Sequence, residues 1–142
     1  MIKQSHATAV WSGDLRSGTG VIDSQHGAVR QVAYNFPKRF ESEQGTNPEE
    51  LIAAAHAACY SMALSGELAK NQIVAESITT TATTTLDMVD GKPTVSTIHL
   101  ATVVKAGGAD RNVVRSAAEA AKAGCPISRL LNTKITLDVS VA

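Results

Sequence analysis

Two cysteines carry most of the chemistry available to this chain, and they sit in different settings. Cys59 lies among alanines in a stretch, 51–64, that holds no Asp, Glu, Lys or Arg. Cys125 stands between Gly124 and Pro126. A free cysteine is often a small buried hydrophobe, and Cys59 among alanines fits that role as readily as a redox one. Cys125 is harder to read as filler. It occupies the position before Pro126 where a helix can begin, so backbone amides of the next turn can point at its sulfur and favour the thiolate. Metal binding is a weak alternative, because the cysteines lack the short spacings of zinc sites. His56 precedes Cys59 by about one helical turn and can share a face with it, as ligand or as base.

These positions require a helix beneath Cys59 and a helix junction at Cys125. Asn47-Pro48-Glu49-Glu50 is a strong helix start: Asn47 can cap, Pro48 suits the first helical position, and Glu50 completes a capping-box-like pattern. Both glutamates lie where the helix dipole favours negative charge. With only Gly66 to interrupt it, the helix is predicted to reach about Lys70. Ala53, Ala54, Ala55, Ala57, Ala58 and Ala63 make it apolar all round, which marks a buried helix. In so short a chain, that burial predicts a second subunit covering part of the helix.

Before this helix, 7–11, 20–23 and 29–34 read as short strands, the last ending near Pro37. After it, 74–89 is a threonine-rich strand with one wet face. Asp90-Gly91 is a hairpin turn, and 93–104 the returning strand. Gly107-Gly108 breaks it. Asp110 can cap a helix over 111–123, with Gly124 as its stop. Pro126 opens a short helix to about Leu131, and 133–141 alternates as a closing strand. The predicted class is α+β in one domain, 1–142. It comprises an N-terminal β-meander, a long buried central helix, and a second antiparallel sheet with C-terminal helices.

The chain has 142 residues, enough to bury roughly two-thirds of its unfolded surface in a single core. Lys plus Arg and Asp plus Glu number 13 each, which gives no reason to expect nucleic acid or an acidic membrane as partner. No apolar stretch follows Lys3, and no run approaches the ~18 apolar residues of a membrane span. The expectation is a soluble cytoplasmic protein, where reducing conditions disfavour a permanent disulfide.

Several segments together resemble the OsmC/Ohr family of thiol-dependent organic hydroperoxide reductases. They are Arg39-Phe40-Glu41 with Asn47-Pro48-Glu49-Glu50 and His56-Ala57-Ala58-Cys59, then Gly124-Cys125-Pro126-Ile127-Ser128, the early Trp11-x-Gly13-Asp14 and the late Ile135-Thr136-Leu137-Asp138. The resemblance covers essentially the whole chain, and His56 and Arg39-Phe40-Glu41 place it nearer the OsmC branch. It implies the OsmC-like fold as an intertwined homodimer with sites at the subunit interface. It also implies a peroxidase in oxidative or osmotic stress defence, with Cys59 as peroxidatic and Cys125 as resolving cysteine, joined in a disulfide during the cycle. Glu49 matches the family's glutamate. The accompanying arginine matches Arg39 in the OsmC branch, while Arg16 is the counterpart suggested by Ohr. A dithiol reductant, a lipoyl protein in Ohr relatives, would reset the enzyme. No flavin, haem or metal is implied.

The chemistry makes demands on these residues. A free cysteine is only about 3% thiolate at pH 7. Mid-helix burial would raise the pKa of Cys59, so a cation such as Arg39 is needed to oppose it. Lowering the pKa to about 6 would give about thirtyfold more thiolate, but a Brønsted slope of ~0.45 returns about tenfold of that. Positioning the peroxide and stabilising the leaving alkoxide must therefore contribute more, a task suited to a guanidinium steadied by Glu49. Glu49 and Cys59 lie ~15 Å apart along one helix, which predicts that the Glu49 serving a given Cys59 comes from the partner subunit. Phe36 and Phe40 flank Arg39 and can form an apolar wall for the organic part of a hydroperoxide, or simply pack a core. Two other readings remain beside the enzyme: a redox-sensing or ligand-binding module without turnover, and a structural stress protein with inert cysteines.

Overall fold

A computed structural model describes all 142 residues. The chain folds as two compact units, Met1–Pro48 and Glu49–Ala142. The first unit is an antiparallel sheet of β1 (Ala7–Ser12), β2 (Thr19–Ser24) and β3 (Val32–Asn35), in that order, followed by a short helix α1 (Phe36–Phe40). Trp11, Gly20 and Tyr34 lie opposite one another across the three strands. A Cβ on Gly20 would come within 2.2 Å of the Tyr34 ring and 2.9 Å of Trp11. The missing side chain is what lets the two rings meet over the middle strand, with centroids 5.5 Å apart. Between β1 and β2, Asp14 accepts from the amides of Arg16 and Ser17 at 2.9 and 3.0 Å and also pairs with the Ser17 hydroxyl. The Ser17 hydroxyl, with both amides, pulls the Asp14 carboxyl down to about 2. This turn fixes the backbone at Arg16.

Two expectations for this unit are corrected. The third strand begins at Val32, not at 29, because Gln31 adopts a left-handed conformation (φ 49°) while its amide donates to Asp23 at 2.9 Å. Pro37 does not end an element; it opens α1. The Asn35 side chain caps that helix, accepting from the Lys38 amide at 2.9 Å, and Pro37 sits in its first turn.

The second unit starts with α2 (Pro48–Lys70), close to its predicted span. It continues with a long hairpin, β4 (Ser77–Val89) and β5 (Lys92–Lys105), then α3 (Arg111–Gly124), α4 (Pro126–Leu130) and β6 (Lys134–Val141). Asp90 and Gly91 both have positive φ, 50° and 75°, as a two-residue hairpin turn requires. Asp110 caps α3 through the amides of Asn112 and Val113. The sheet order is β4-β5-β6, but it is mixed, not antiparallel throughout: β6 runs parallel to β5. A parallel neighbour needs a crossover, and α3 and α4 supply it.

Strand alternation sets the core. Ile98, Leu100, Thr102 and Val104 of β5 are buried, and Val114, Ala117, Ala118 and Ala121 of α3 are buried with them. From α2, His56, Tyr60, Leu64 and Leu68 recur at four-residue spacing and are fully buried. Ala54, Ala55, Ala58 and Met62 are exposed, Met62 to 80%. The expected all-round burial of α2 is therefore not met within one chain; one apolar face remains uncovered. No helix is long and apolar enough to cross a membrane.

The aromatic pair over Gly20 generates a direct test. Gly20→Ala should lower the unfolding free energy by about 1–3 kcal/mol, the usual cost of overpacking. It should also shift the emission of Trp11, the only tryptophan. Urea unfolding followed by fluorescence reads both, and parental stability with unchanged emission would mean that the stack does not depend on this glycine.

Candidate active site

Cys59 and Cys125, far apart in sequence, meet in the second unit. Cys59 lies on α2, half-buried against the core, and Cys125 is fully buried; both are free thiols. Cys125 belongs to two helices at once. Its amide donates to Ala121 at 2.8 Å as the C-cap of α3, and its carbonyl accepts from Arg129 at 3.0 Å as the N-cap of α4. Pro126 at the start of α4 fixes the exit of the chain. The sulfur makes no ordinary capping bond, yet the amides of the first turn lie close enough to act on its charge.

The two thiols lie close enough to act on each other's acidity, and they are pushed in opposite directions. Burial pushes the Cys59 thiol up, and the neighbouring Cys125 pushes it further. Burial also opposes ionisation of Cys125. It is outweighed there by the Ser128 amide, the Cys59 thiol, the Ser128 hydroxyl and the Ile127 amide, so the thiol is net lowered. Of the two sulfurs, the surroundings of Cys125 are the more favourable to charge. The expectation that burial raises Cys59 holds, as does the expectation that a helix start favours thiolate at Cys125.

His56 belongs to no group of three or more His, Cys, Asp or Glu side chains that could hold a metal ion, and its hydrogen-bond partner is Ser128. Its Nε2 lies 2.8 Å from the Ser128 hydroxyl, both side chains being buried, and burial lowers its pKa. Ser128 is a site residue that the sequence reading missed; its signal was its place three residues after a capping cysteine, where a side chain turns back toward the cap. Tyr60, one position from Cys59, is fully buried, and burial pushes its hydroxyl up to about 12. Below Cys59, Ser61 donates to Thr80 at 2.8 Å, and Thr80 meets Thr102 at 3.2 Å, tying α2 to the sheet.

The remaining predicted residues fall elsewhere. Glu49 is buried in the first turn of α2, ~15 Å along the helix from Cys59. Phe36, Arg39 and Phe40 come together in the first unit, on α1. The two phenyl rings pack at 4.8 Å, one helical turn apart. The guanidinium of Arg39 sits 5.1 Å over Phe40, and that of Arg16 sits 5.1 Å over Phe36. With Trp11, Leu15, Tyr34 and Asn35, the α1 residues line a cavity of about 230 Å³, mostly apolar. Both arginines proposed from sequence thus stand on the two phenylalanines, and these rings line a cavity rather than only filling a core.

Comparison with known proteins places the chain. A family profile described as OsmC-like protein matches residues 41–140. The protein named peroxiredoxin OsmC from Escherichia coli (strain K12) is 46% identical over 130 residues, covering 92% of this chain and 91% of its own. Among solved structures, an OsmC-like protein of unknown function from Vibrio cholerae superposes with a TM-score of 0.76 at 18% identity, over 98% of this chain and all of that one. The organic hydroperoxide resistance protein OhrB of Bacillus subtilis superposes with a TM-score of 0.65 at 25% identity, over 96% of this chain and 98% of its own. Family profile, whole-length identity and fold agree: the chain belongs to the OsmC family, in its OsmC branch.

Proposed function

We propose that this chain is a thiol peroxidase that reduces organic hydroperoxides to alcohols, with Cys59 attacking and Cys125 resolving. The observation that carries the reading is the pairing itself: a half-buried thiol on α2 and a fully buried one at a helix junction, close enough to act on each other's acidity. On this reading the whole chain, 1–142, works as one OsmC-like domain, in the reducing cytoplasm.

The cycle has three steps. Cys59 gives its proton to Cys125 and attacks the distal oxygen of the hydroperoxide. The S–O bond forms, the O–O bond breaks, and the alkoxide leaves as alcohol with a proton, leaving Cys59 as sulfenic acid. Cys125, again as thiolate, attacks the Cys59 sulfur. The S–S bond forms, the S–O bond breaks, and hydroxide leaves as water. A dithiol reductant, of the lipoyl type by resemblance, then attacks the disulfide, is itself oxidised to a disulfide, and returns both thiols.

Arg39 is assigned the guanidinium that steadies the leaving alkoxide, and Glu49 the carboxylate that orients it. Phe36 and Phe40 are assigned the apolar part of the hydroperoxide; the cavity they line supports this. A homodimer is assigned because α2 leaves Ala54, Ala55, Ala58 and Met62 uncovered in one chain, a small-residue face that a second copy can approach closely. A second reading, a redox sensor with negligible turnover, is favoured by one observation: the more reachable thiol is the less ionised.

Counting thiols around one equivalent of cumene hydroperoxide decides between them. The parent should lose both thiols, and Cys125→Ser should stop at a Cys59 sulfenic acid. Catalytic turnover with excess dithiol belongs to the enzyme, and a single oxidation without turnover to the sensor. Two intact thiols in a folded protein would reject both.

The coupled acidities give a pH prediction. Cys125 holds the Cys59 pKa up, both by accepting its hydrogen bond and by its charge. Replacing it with serine removes the charge and offers a donor, so the Cys59 thiolate should form at lower pH in Cys125→Ser than in the parent. The pH profile of single-turnover sulfenic acid formation reads this; a midpoint at or above that of the parent would contradict the coupling. For the assembly, light scattering should give a dimer mass for the parent and a monomer mass for Met62→Lys, which places a charge in the middle of the uncovered face. A parent that is monomeric at micromolar concentration rejects the homodimer.

A further inference from the structure

His56 and Ser128 are fully and largely buried polar side chains that the proposed cycle does not use. They face each other at 2.8 Å between His56 Nε2 and Ser128 Oγ, and so link α2, the helix of Cys59, to the first turn of α4, which Cys125 caps. His56 Nδ1 is buried without a hydrogen-bond partner. An unpaired buried N–H is rarer and costlier than an unpaired lone pair, so the ring proton belongs on Nε2. Nε2–H then donates to Ser128 Oγ, which leaves the single hydroxyl proton of Ser128 to be donated elsewhere. Ser128 stands in the first turn of the helix that Cys125 caps, which puts the Cys125 sulfur beside it as a candidate acceptor.

We infer that His56 and Ser128 form a positioning pair for the resolving thiol, in which His56 fixes the Ser128 hydroxyl so that it donates to the Cys125 thiolate. The inference rests on the two-cysteine cycle above and adds residues to it. Its chemical purpose lies in both later steps. A stabilised Cys125 thiolate is available in a larger fraction to attack the Cys59 sulfenic acid. When the reductant attacks Cys59 in the disulfide, Cys125 leaves more easily because its thiolate is the more stable one. Cys59 and Tyr60 of α2 lie near enough to feel the charge of Cys125, and His56 connects to its helix through Ser128. Burial favours the neutral forms of Tyr60 and His56, so neither sets a charge beside the pair.

The test separates the pair from the cycle. In a Cys59→Ala background, the Cys125 thiolate is titrated by its ultraviolet absorbance, with and without Ser128→Ala. Removing the hydroxyl should move the pH midpoint up. In the two-cysteine protein, disulfide closure after one equivalent of cumene hydroperoxide should slow about threefold in Ser128→Ala at a pH below both midpoints. A hydrogen bond to a charged group is worth about tenfold in thiolate, and the greater nucleophilicity of a more basic thiolate returns roughly threefold. At high pH, where both thiolates are fully formed, the deficit should reverse to about threefold faster closure in Ser128→Ala, which a merely structural role would not produce. His56→Gln, whose amide nitrogen can stand in for Nε2, should keep the parental profile, and His56→Leu should follow Ser128→Ala. Should Ser128→Ala not fold, the two His56 variants carry the same comparison. An unshifted midpoint overturns the inference whatever the peroxide does. A shifted midpoint in a protein whose parent never closes the disulfide overturns the cycle and leaves the pair standing as a thiolate-stabilising device.

Discussion

Two sulfurs from distant parts of the chain, held side by side, are the constraint on which the rest of the second unit depends. Keeping them there requires the Cys125 sulfur to be held in a fixed place relative to α2, and the backbone does this twice over. The Cys125 amide closes α3 and its carbonyl opens α4, so neither helix can shift without the sulfur moving. On the other side, Tyr60, Leu64 and Leu68 anchor α2 in the core, with the Ser61–Thr80–Thr102 hydroxyl chain fastening it to the sheet. Close-packed interiors transmit small displacements. That rigidity is what keeps two thiols in contact without a bond between them.

The same constraint explains why the helix junction carries a cysteine and not an ordinary capping residue. A serine or aspartate at that position would satisfy the first-turn amides with oxygen. Cysteine leaves them aimed at sulfur, where they favour charge without making a strong bond. Burial alone would suppress the charge. The Ser128 amide, the Cys59 thiol, the Ser128 hydroxyl and the Ile127 amide reverse that outcome together, and two of those four come from the single residue Ser128. In the first unit the comparable economy is Gly20, whose missing side chain lets Trp11 and Tyr34 close over the sheet beside the α1 cavity.

What could be read from sequence was what local chemistry determines. Asn47-Pro48 marked the start of α2, Asp90-Gly91 the hairpin, and Gly124-Cys125-Pro126 the junction with its amides directed at sulfur. Each of these is decided within a few residues of itself. Helix α1 was equally local, since Asn35 and Pro37 use the same cap-and-proline chemistry, but five residues show no hydrophobic period to draw attention to them. The direction of β6 was not legible, because alternation of apolar residues gives a strand its face and says nothing of its sense. The partnership of His56 with Ser128 spans 72 positions and exists only once α2 lies against α4. The uncovered face of α2 marks another limit: composition reveals that a helix wants covering, and only the fold of one chain reveals which face is left over.

The division of acidity between the thiols bears on how a slow nucleophile can serve a peroxidase. A depressed pKa at Cys59 would make thiolate plentiful but weaken each one, and the two effects largely cancel. In this chain the surroundings favour charge on Cys125 over charge on Cys59, and on the proposed cycle Cys59 can pass its proton to that neighbour at the moment of attack. A thiolate formed this way is the more basic and therefore the more nucleophilic of the pair. The cost is a small population of the reactive form, which a guanidinium near the developing alkoxide can offset by acting on the transition state, where charge moves from sulfur to oxygen. The acidity of Cys125 would in turn be wasted if it were the first nucleophile, since its sulfur is buried from any hydroperoxide. On the proposed cycle it is useful in a thiol that attacks second and leaves first, an order that the deeper burial of Cys125 supports.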